Sequence, residues 1–536
     1  MLNCLLLIFN NMKKIYFITF AILFFTNISL TQTTFNKRMN FGYPAAILTS
    51  IVATDSCYYA NGILADSVPP YLTSSIFVRF DLEGNEIYHK ALIGEERTYE
   101  TWMNSLTTSS SGDFTNIGQS FFLDEPMKGF LIKYNHLGDT ILIKEFINPQ
   151  NPLCPDATFI SPRDFKSTFD KGGIITGYFV KECPNFNAEI FLIKTDSLGN
   201  VDWFNTFGDA RRDLGVSLVV RENGSIIVGG VKTNTDEVTE NYLWQTHIFQ
   251  VDSLGNQEWS YLSPPDIQRD GAKEMVSLED GSLIVASGIG YEQERSSRND
   301  MWFEKSVFKL NPDHELEWEK EFKDTYFSGR TQTNNLIALS DDSGFIVTGT
   351  ETYNPNVSWI TQTQGWLMKF NEHGDTLWSR RYIHPMSQKT RHRIDDIKET
   401  ADGGFILCGE SFNSENNVEI PQQSWLLKLD DHGCLIPGCY TATEEVENGQ
   451  LPFKVSIYPN PTTDYLNIYH YFSEADFWQN GQYRIVDSQG REVAAFPIGQ
   501  NDVTMVVPVW EWAKGIYFLQ LVVEDGVVKT EKFVVQ

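Results

Sequence analysis

Ser225-Ile-Ile-Val-Gly-Gly230, a polar loop, Ile248-Phe-Gln-Val-Asp252, the turn Ser-Leu-Gly255-Asn256 and then Gln257-Glu-Trp259 form one unit of a repeat. Its short runs are rich in Val, Ile and Phe and alternate with polar residues, which favours strands. Glu222-Asn-Gly224 and Asp252-Ser-Leu-Gly-Asn256 are hairpin turns, because Asn and Gly supply positive φ at low steric cost. The same text returns around Phe345 to Trp378 and around Phe405 to Asp430. An apolar residue opening the glycine-flanked strand anchors each copy: Tyr58, Phe114, Ile174, Ile226, Leu283, Phe345 and Phe405, with gaps of 56, 60, 52, 57, 62 and 60 residues. Repeats of this length mark a propeller or a solenoid. In the fourth copy four strands are expected, at Leu218–Val220, Ser225–Gly230, Thr246–Asp252 and Gln257–Leu262. Four antiparallel strands, seven times over, read as a seven-bladed β-propeller. A β-solenoid is the alternative, although its repeats are usually shorter.

The outermost strand carries a second signal. Gly199 precedes Trp203 by four residues, as Gly255 does Trp259 and Gly374 does Trp378. Gly84 with Tyr88 is a softer copy, while His314 before Trp318 and Leu142 after Gly138 are departures. An Asp or Asn stands seven residues before the aromatic, at Asp81, Asp196, Asp252, Asn311 and Asn371. This resembles the tryptophan-docking repeat of quinoprotein-type propellers. The resemblance implies that the aromatic packs on the next blade and that the glycine leaves room for it. The spacing differs by one residue between Asp and Gly, so the architecture is carried over and the cofactor is not. No cofactor is expected.

The seventh copy lacks its outer strand. After Asp430 and Gly433 the chain runs into Cys434-Leu-Ile-Pro437, and proline cannot donate in a ladder. The missing text stands at the other end: Phe35-Asn-Lys-Arg-Met39 matches Trp378-Ser-Arg-Arg-Tyr382 and Trp318-Glu-Lys-Glu-Phe322. The N-terminal strand is therefore expected to complete the last blade, removing two exposed edges. The propeller is placed at residues 33–440.

Residues 1–32 do not belong to this fold. Lys13 and Lys14 precede an apolar run from Ile15 to Phe25, followed by small and polar residues to Gln32, which is a signal-peptide pattern with Met12 as an alternative start. Export permits disulfides, and Cys434 with Cys439 and Cys154 with Cys183 are the expected pairs, leaving Cys57 and Cys408 as buried thiols.

Past Tyr440, a polar stretch (residues 441–452) reads as a linker, and residues 453–536 form a new unit. It opens Val455-Ser-Ile-Tyr458-Pro459-Asn460-Pro461, continues through Tyr483-Arg-Ile-Val-Asp487-Ser-Gln-Gly490, and closes with Gly515-Ile-Tyr-Phe-Leu519 and Lys529-Thr-Glu-Lys532. Alternating strands cut by Gln-Gly and Asp-Gly turns read as a small β-sandwich. These three blocks closely resemble the type A C-terminal sorting domain of the type IX secretion system. The resemblance implies an Ig-like sandwich that carries cargo across the outer membrane of Bacteroidetes-type bacteria. It also implies as partners the translocon and a sortase-like peptidase that removes the domain, after which the cargo is released or attached to surface lipopolysaccharide. Tyr458, Pro459, Asn460, Pro461, Gly490, Gly515, Lys529 and Lys532 are the positions that carry the match. An ordinary accessory Ig-like module is the alternative.

Composition bounds the function. With 42 Lys+Arg against 70 Asp+Glu the net charge is −28, which disfavours nucleic acid as a ligand. His-Glu-x-x-His, Gly-x-Ser-x-Gly and phosphate-loop motifs are absent, and the nine His show no metal-ligand spacing. Numbering strands A to D outward from the channel, the B–C connections read as long loops at Val231–Gln245, Ile289–Lys305, Glu351–Gly365 and Ser411–Ser424. They share one face with the D–A connections, and loops on a rigid scaffold commonly carry function. Trp244, Trp302 and Trp359 in these loops are candidate ligand contacts, since aromatic platforms suit sugars or peptides. Arg212, Arg269 and Arg391, each 14 residues before an anchor, are candidate grips for an anionic group, or pair with Asp to fix each loop. The reading is an all-β protein, a seven-bladed β-propeller followed by a small Ig-like sandwich, exported and binding a glycan or protein without a catalytic or metal site. An extracellular polysaccharide hydrolase or lyase is the alternative, and a quinoprotein dehydrogenase stands third.

Overall fold

A computed structural model describes residues 32–536 except 67–71, 95–96, 110–111, 123–126, 147–159, 183–186, 209–211, 236–241, 265–268, 291–302, 323–330, 353–362, 385–389, 414–419, 436–452, 473–480, 499–502 and 524–525. The described residues form strands and turns with no helix. The chain enters with β1 (Phe35–Met39). Blade one is β2 (Ala45–Ala53), β3 (Tyr58–Ala65), β4 (Thr73–Phe80) and β5 (Glu86–Leu92). Blade two has a divided inner strand, β6 (Arg97–Thr101) and β7 (Thr107–Thr108), then β8 (Phe114–Phe122), β9 (Lys128–Tyr134) and β10 (Thr140–Phe146). Blade three is β11 (Ile160–Ser167), β12 (Gly173–Glu182), β13 (Asn187–Thr195) and β14 (Val201–Phe207). Blade four is β15 (Asp213–Val220), β16 (Ile226–Thr235), β17 (Tyr242–Val251) and β18 (Gln257–Leu262). Blade five is β19 (Arg269–Ser277), β20 (Leu283–Gly290), β21 (Phe303–Leu310) and β22 (Leu316–Phe322). Blade six is β23 (Thr331–Ala338), β24 (Phe345–Thr352), β25 (Thr363–Phe370) and β26 (Thr376–Tyr382). Blade seven is β27 (Thr390–Glu399), β28 (Phe405–Asn413) and β29 (Gln422–Leu429), with β1 as its fourth strand.

The ring closes by antiparallel pairing of β1 with β29, from Phe35 opposite Lys428 to Met39 opposite Ser424. β29 thereby has an antiparallel partner on each side, β28 and β1, and is not left as an open edge. The first strand of each blade lies innermost, and β2, β11, β15, β19, β23 and β27 contact one another around the channel. The middle strands are buried on both faces and supply the apolar layers between blades, such as Ile175, Phe191 and Ile193 beside Ile117 and Leu131.

Aromatic docking locks neighbouring blades. Asp196 Oδ1 accepts from the amides of Leu198 and Asn200 at 2.8 Å each, which builds the turn carrying Gly199, and Asp252 repeats this around Gly255. Trp378 of blade six lies against Gly433 of blade seven, where a Cβ would fall 2.7 Å from the ring. Phe35 of β1 lies against Gly84 of blade one, where a Cβ would fall 2.4 Å from the ring. Both glycines have positive φ, so a side chain there is excluded by backbone and by space. Blade five carries His314 in place of glycine, and its ring stacks on Trp259 of blade four at 3.9 Å. The closing strand thus supplies a docking aromatic as well as a ladder.

The strands of blade four are longer than the sequence pattern marks. Hydrogen-bonded pairing continues past Gly230 through Val231 opposite Thr246 to Thr235 opposite Tyr242. Its β-branched residues extend the hairpin, so Trp244 sits on a strand, while residues 236–241 lie outside the described residues.

The C-terminal unit packs two sheets. One is β30 (Phe453–Tyr458), β31 (Tyr465–Phe472) and β34 (Val503–Pro508); the other is β32 (Gly481–Asp487), β33 (Glu492–Pro497), β35 (Gly515–Val523) and β36 (Gly526–Val535). Leu466, Ile468, Tyr483, Ile485, Leu519 and Phe533 form its core.

Candidate functional site

A bulge interrupts the inner strand of six blades, and the residue after it is Ser50, Asp164, Ser217, Glu274, Asn335 or Asp396. A bulge leaves backbone groups without a ladder partner, and a buried N–H must find one. The neighbouring blade supplies it. Asp396 Oδ2 accepts from Ile51 N at 2.8 Å and Ser50 Oγ at 2.9 Å, and Ser50 Oγ accepts from Leu106 N at 3.0 Å. Asp164 Oδ2 accepts from Leu218 N at 2.7 Å, Ser217 Oγ donates to Ala272 O at 2.8 Å, and Asn335 Nδ2 donates to Asp396 Oδ1 at 2.6 Å. A polar belt therefore stitches blade to blade around the channel.

Inside that belt, charges meet across the channel. Lys166 Nζ lies 3.3 Å from Asp164 Oδ2 and 3.7 Å from Glu274 Oε1. Asn104 donates to Glu274 and accepts from Lys398 Nζ at 3.0 Å, and Lys398 also pairs with Asp396. Blades two, three, five and seven are thus tied across the channel. Burial raises Glu274 to about 7 against the pull of Lys166, with Asp164 adding to the rise. Burial likewise raises Asp164. The Lys166 ammonium is opposed by burial, but Asp164 and Glu274 outweigh it and hold it above the ordinary lysine value.

A carboxyl group raised near neutrality binds a proton more tightly in the folded chain than in the unfolded one. Its contribution to stability is therefore fully present below the unfolded value near 4.5 and falls as pH rises towards 7. Glu274→Gln should flatten this part of the profile. Melting temperatures of the parent and the variant between pH 5 and 7.5 test it: the variant should gain on the parent as pH rises, and parallel curves would contradict it.

On the face where B–C and D–A connections meet, the expected residues are dispersed. Trp244 is half-buried on β17, opposite Thr233. Trp302 and Trp359 lie outside the described residues. Arg212 is exposed and its backbone bridges Ala188 of blade three. Arg269 begins β19 opposite Ile289. Arg391 is engaged: its guanidinium lies 3.2 Å from the buried Glu410 and over the Phe412 ring at 5.0 Å. A related buried cluster between blades five and six joins Glu351 to Arg381 and Lys305, and against the effect of burial those two cations bring Glu351 to about 2. The channel belt was not anticipated from sequence. Its signal was the polar residue recurring eight to ten positions before most anchors.

The residues that carry the sorting resemblance fasten the sandwich. Asn460 Nδ2 donates to Lys532 O at 2.8 Å and its Oδ1 accepts from Val534 N at 3.1 Å, tying the opening segment to the last strand. Tyr458 ends β30, and Pro459 and Pro461 flank that clamp. Gly490 takes φ 78° in the turn capped by Asp487, and Gly515 begins β35 opposite Val535. Lys529 pairs with Glu531 at 3.0 Å, and Lys532 is exposed. Cys57 and Cys408 are free and buried, as expected. Cys434 is buried and not among the free thiols, while Cys439, Cys154 and Cys183 lie outside the described residues.

Residues 456–536 match the family of secretion system C-terminal sorting domains. This domain marks the chain for export by the type IX system to the cell surface or beyond it. No curated protein matches the chain. Solved structures similar to it include a protein of unknown function from Bacteroides caccae, at 10% identity and TM-score 0.32 over 61% of this chain and 94% of that one. The Pan2 WD40 domain of Neurospora crassa is similar at 8% identity and TM-score 0.37 over 72% and 89%. An α-L-arabinofuranosidase from Fusarium graminearum is similar at 10% identity and TM-score 0.39 over 63% and 98%.

Proposed function

We propose that this chain is an exported binding or scaffold module whose propeller, residues 33–440, presents its B–C/D–A face to a glycan or protein. In this reading a signal peptide spans residues 1–32, residues 441–452 link the two units, and residues 453–536 engage the translocon and a sortase-like peptidase. Disulfides Cys434–Cys439 and Cys154–Cys183 suit that destination. The observation that carries the absence of catalysis is the enclosure of the channel carboxylates. Asp164 and Glu274 are 4% and 6% exposed and bonded to Lys166, backbone amides or Asn104, leaving little room for a substrate.

Trp244, Trp302, Trp359 and the three arginines are the proposed ligand contacts. An aromatic stack on a ligand is worth about 1–3 kcal/mol, by analogy with base stacking. Alanine at any one tryptophan should therefore weaken retention on a glycan array roughly tenfold or more. The melting temperature should barely change. A large fall in melting temperature with unchanged retention would show that these rings pack the hairpins instead.

A polysaccharide hydrolase or lyase is the second reading. One observation favours it: Glu274, raised to about 7, shares Lys166 with Asp164, and a protonated acid beside a second carboxylate is what glycoside cleavage uses.

A further inference from the structure

The two folded units touch through a small, unusual contact. Strand β26 ends blade six, and on the edge away from β25 it pairs in parallel with β34 of the sandwich, Arg381 opposite Val503 and Tyr382 opposite Thr504. The next residue, Ile383, is buried within the sandwich's own core, among Leu466, Met505 and Val507. A propeller side chain thus fills the open end of the C-terminal unit. Asn36 Nδ2 of the closing strand holds Ile383 O at 3.2 Å, so the knob is presented by the ring closure itself.

His384 follows, with no exposed surface. Its ring meets Tyr465 of β31 edge-on at 4.8 Å, and neither ring nitrogen has a hydrogen-bond partner. Its backbone is fixed by the propeller: His384 N donates to His392 Nε2 at 2.7 Å, and His384 O accepts from Ser411 Oγ. The charged and titratable groups around it are Arg38 from β1, His392 from β27 and Tyr465 from β31, with Asp464 acting on Tyr465. Glu410 of β28 acts on His392, one residue removed. No carboxylate is positioned to receive a proton's charge from His384 among the described residues. Burial, with Arg38 and His392 adding to it, holds His384 well below its ordinary value.

We infer that the propeller carries a dedicated dock for its own C-terminal sandwich, built from the β26 edge, Ile383 and the buried His384 against β34 and Tyr465, and that acid releases it. The inference rests on the sandwich being a unit of this chain and is independent of the propeller's ligand. The sign follows from linkage. The undocked histidine, freed from Tyr465 and from the burial the sandwich imposes, titrates above the docked one, while Arg38 and His392 stay beside it on the propeller. Docking is therefore fully favoured above the undocked histidine's value and weakens by up to about tenfold per pH unit below it, until the docked ring itself protonates.

Single-molecule energy transfer on the full chain tests this, with one dye on exposed Leu377→Cys of blade six and the other on exposed Val493→Cys of the sandwich. Cys57 and Cys408 are buried and would not compete for label. In a urea concentration below global unfolding, the ratio of undocked to docked molecules should rise between about fivefold and about 30-fold from pH 7.5 to pH 5.0, the upper figure being that of an unperturbed histidine. His384→Phe, which keeps a ring against Tyr465, should reduce that rise to less than about threefold. Ile383→Asp should leave the molecules undocked at both pH values with the propeller's melting transition intact. Should that variant fail to fold, Ile383→Ala should raise the undocked ratio at least about tenfold at pH 7.5. An undocked ratio unchanged by pH in the parent, an equal rise in His384→Phe, or an Ile383 variant that stays docked overturns the inference.

Discussion

A chain lacking residues 33–42 should lose stability on the order of 5 kcal/mol and aggregate on warming. The deletion removes five consecutive strand pairs with β29, from Phe35–Lys428 to Met39–Ser424. It also removes the Trp425 Nε1 bond to Asn36 Oδ1 at 2.7 Å and the Lys37 Nζ bond to Glu83 O at 2.7 Å, which spans blades seven and one. Phe35 goes with them, leaving the Gly84 turn without its docking ring. Each hydrogen bond is worth about 1 kcal/mol net, and β29 is left as an open edge. Urea unfolding of the two chains checks this. Equal midpoints and equal solubility would mean that the ring does not depend on its closing strand.

Removal of residues 453–536 should leave a folded propeller inside the cell envelope. Residues 456–536 match the sorting domain, and the propeller's seven blades close without them. The truncated chain keeps its hydrophobic layers and loses the sandwich's contacts with the β26 edge, Ile383 and His384. Cell fractionation should find it in the periplasm with an unchanged propeller melting transition, while the full chain appears on the surface or in the medium. Normal appearance of the truncated chain outside the cell would contradict this.

The seven blades were legible because each copy repeats a local text. The glycine-flanked anchors and the Gly-x-x-x-Trp turns recur at blade spacing, and each is a turn or strand that its own residues dictate. Phe35-Asn-Lys-Arg-Met39 was legible for the same reason, as an outer strand standing at the wrong end of the chain. Strand lengths were not: Val231–Thr235 looks like loop by composition, and its pairing with Tyr242–Thr246 is set by the hairpin continuing. The channel belt was hidden more deeply. Asp164, Glu274 and Asp396 are three acids among seventy acidic side chains, and their meaning depends on bulges that bring distant blades together. Ile383 and His384 are likewise unremarkable in sequence, because the surface that buries them lies some 80 residues on.

The claim that this propeller binds without cleaving is tested most directly by one assay with two readouts. The purified full chain is incubated with a panel of insoluble and soluble polysaccharides, and both retention of the protein and release of reducing or unsaturated ends are measured. Retention on at least one polysaccharide is expected, or on none if the ligand is a protein, with no ends released in either case. Release that disappears in Glu274→Gln would contradict it and place the chemistry at the channel carboxylates.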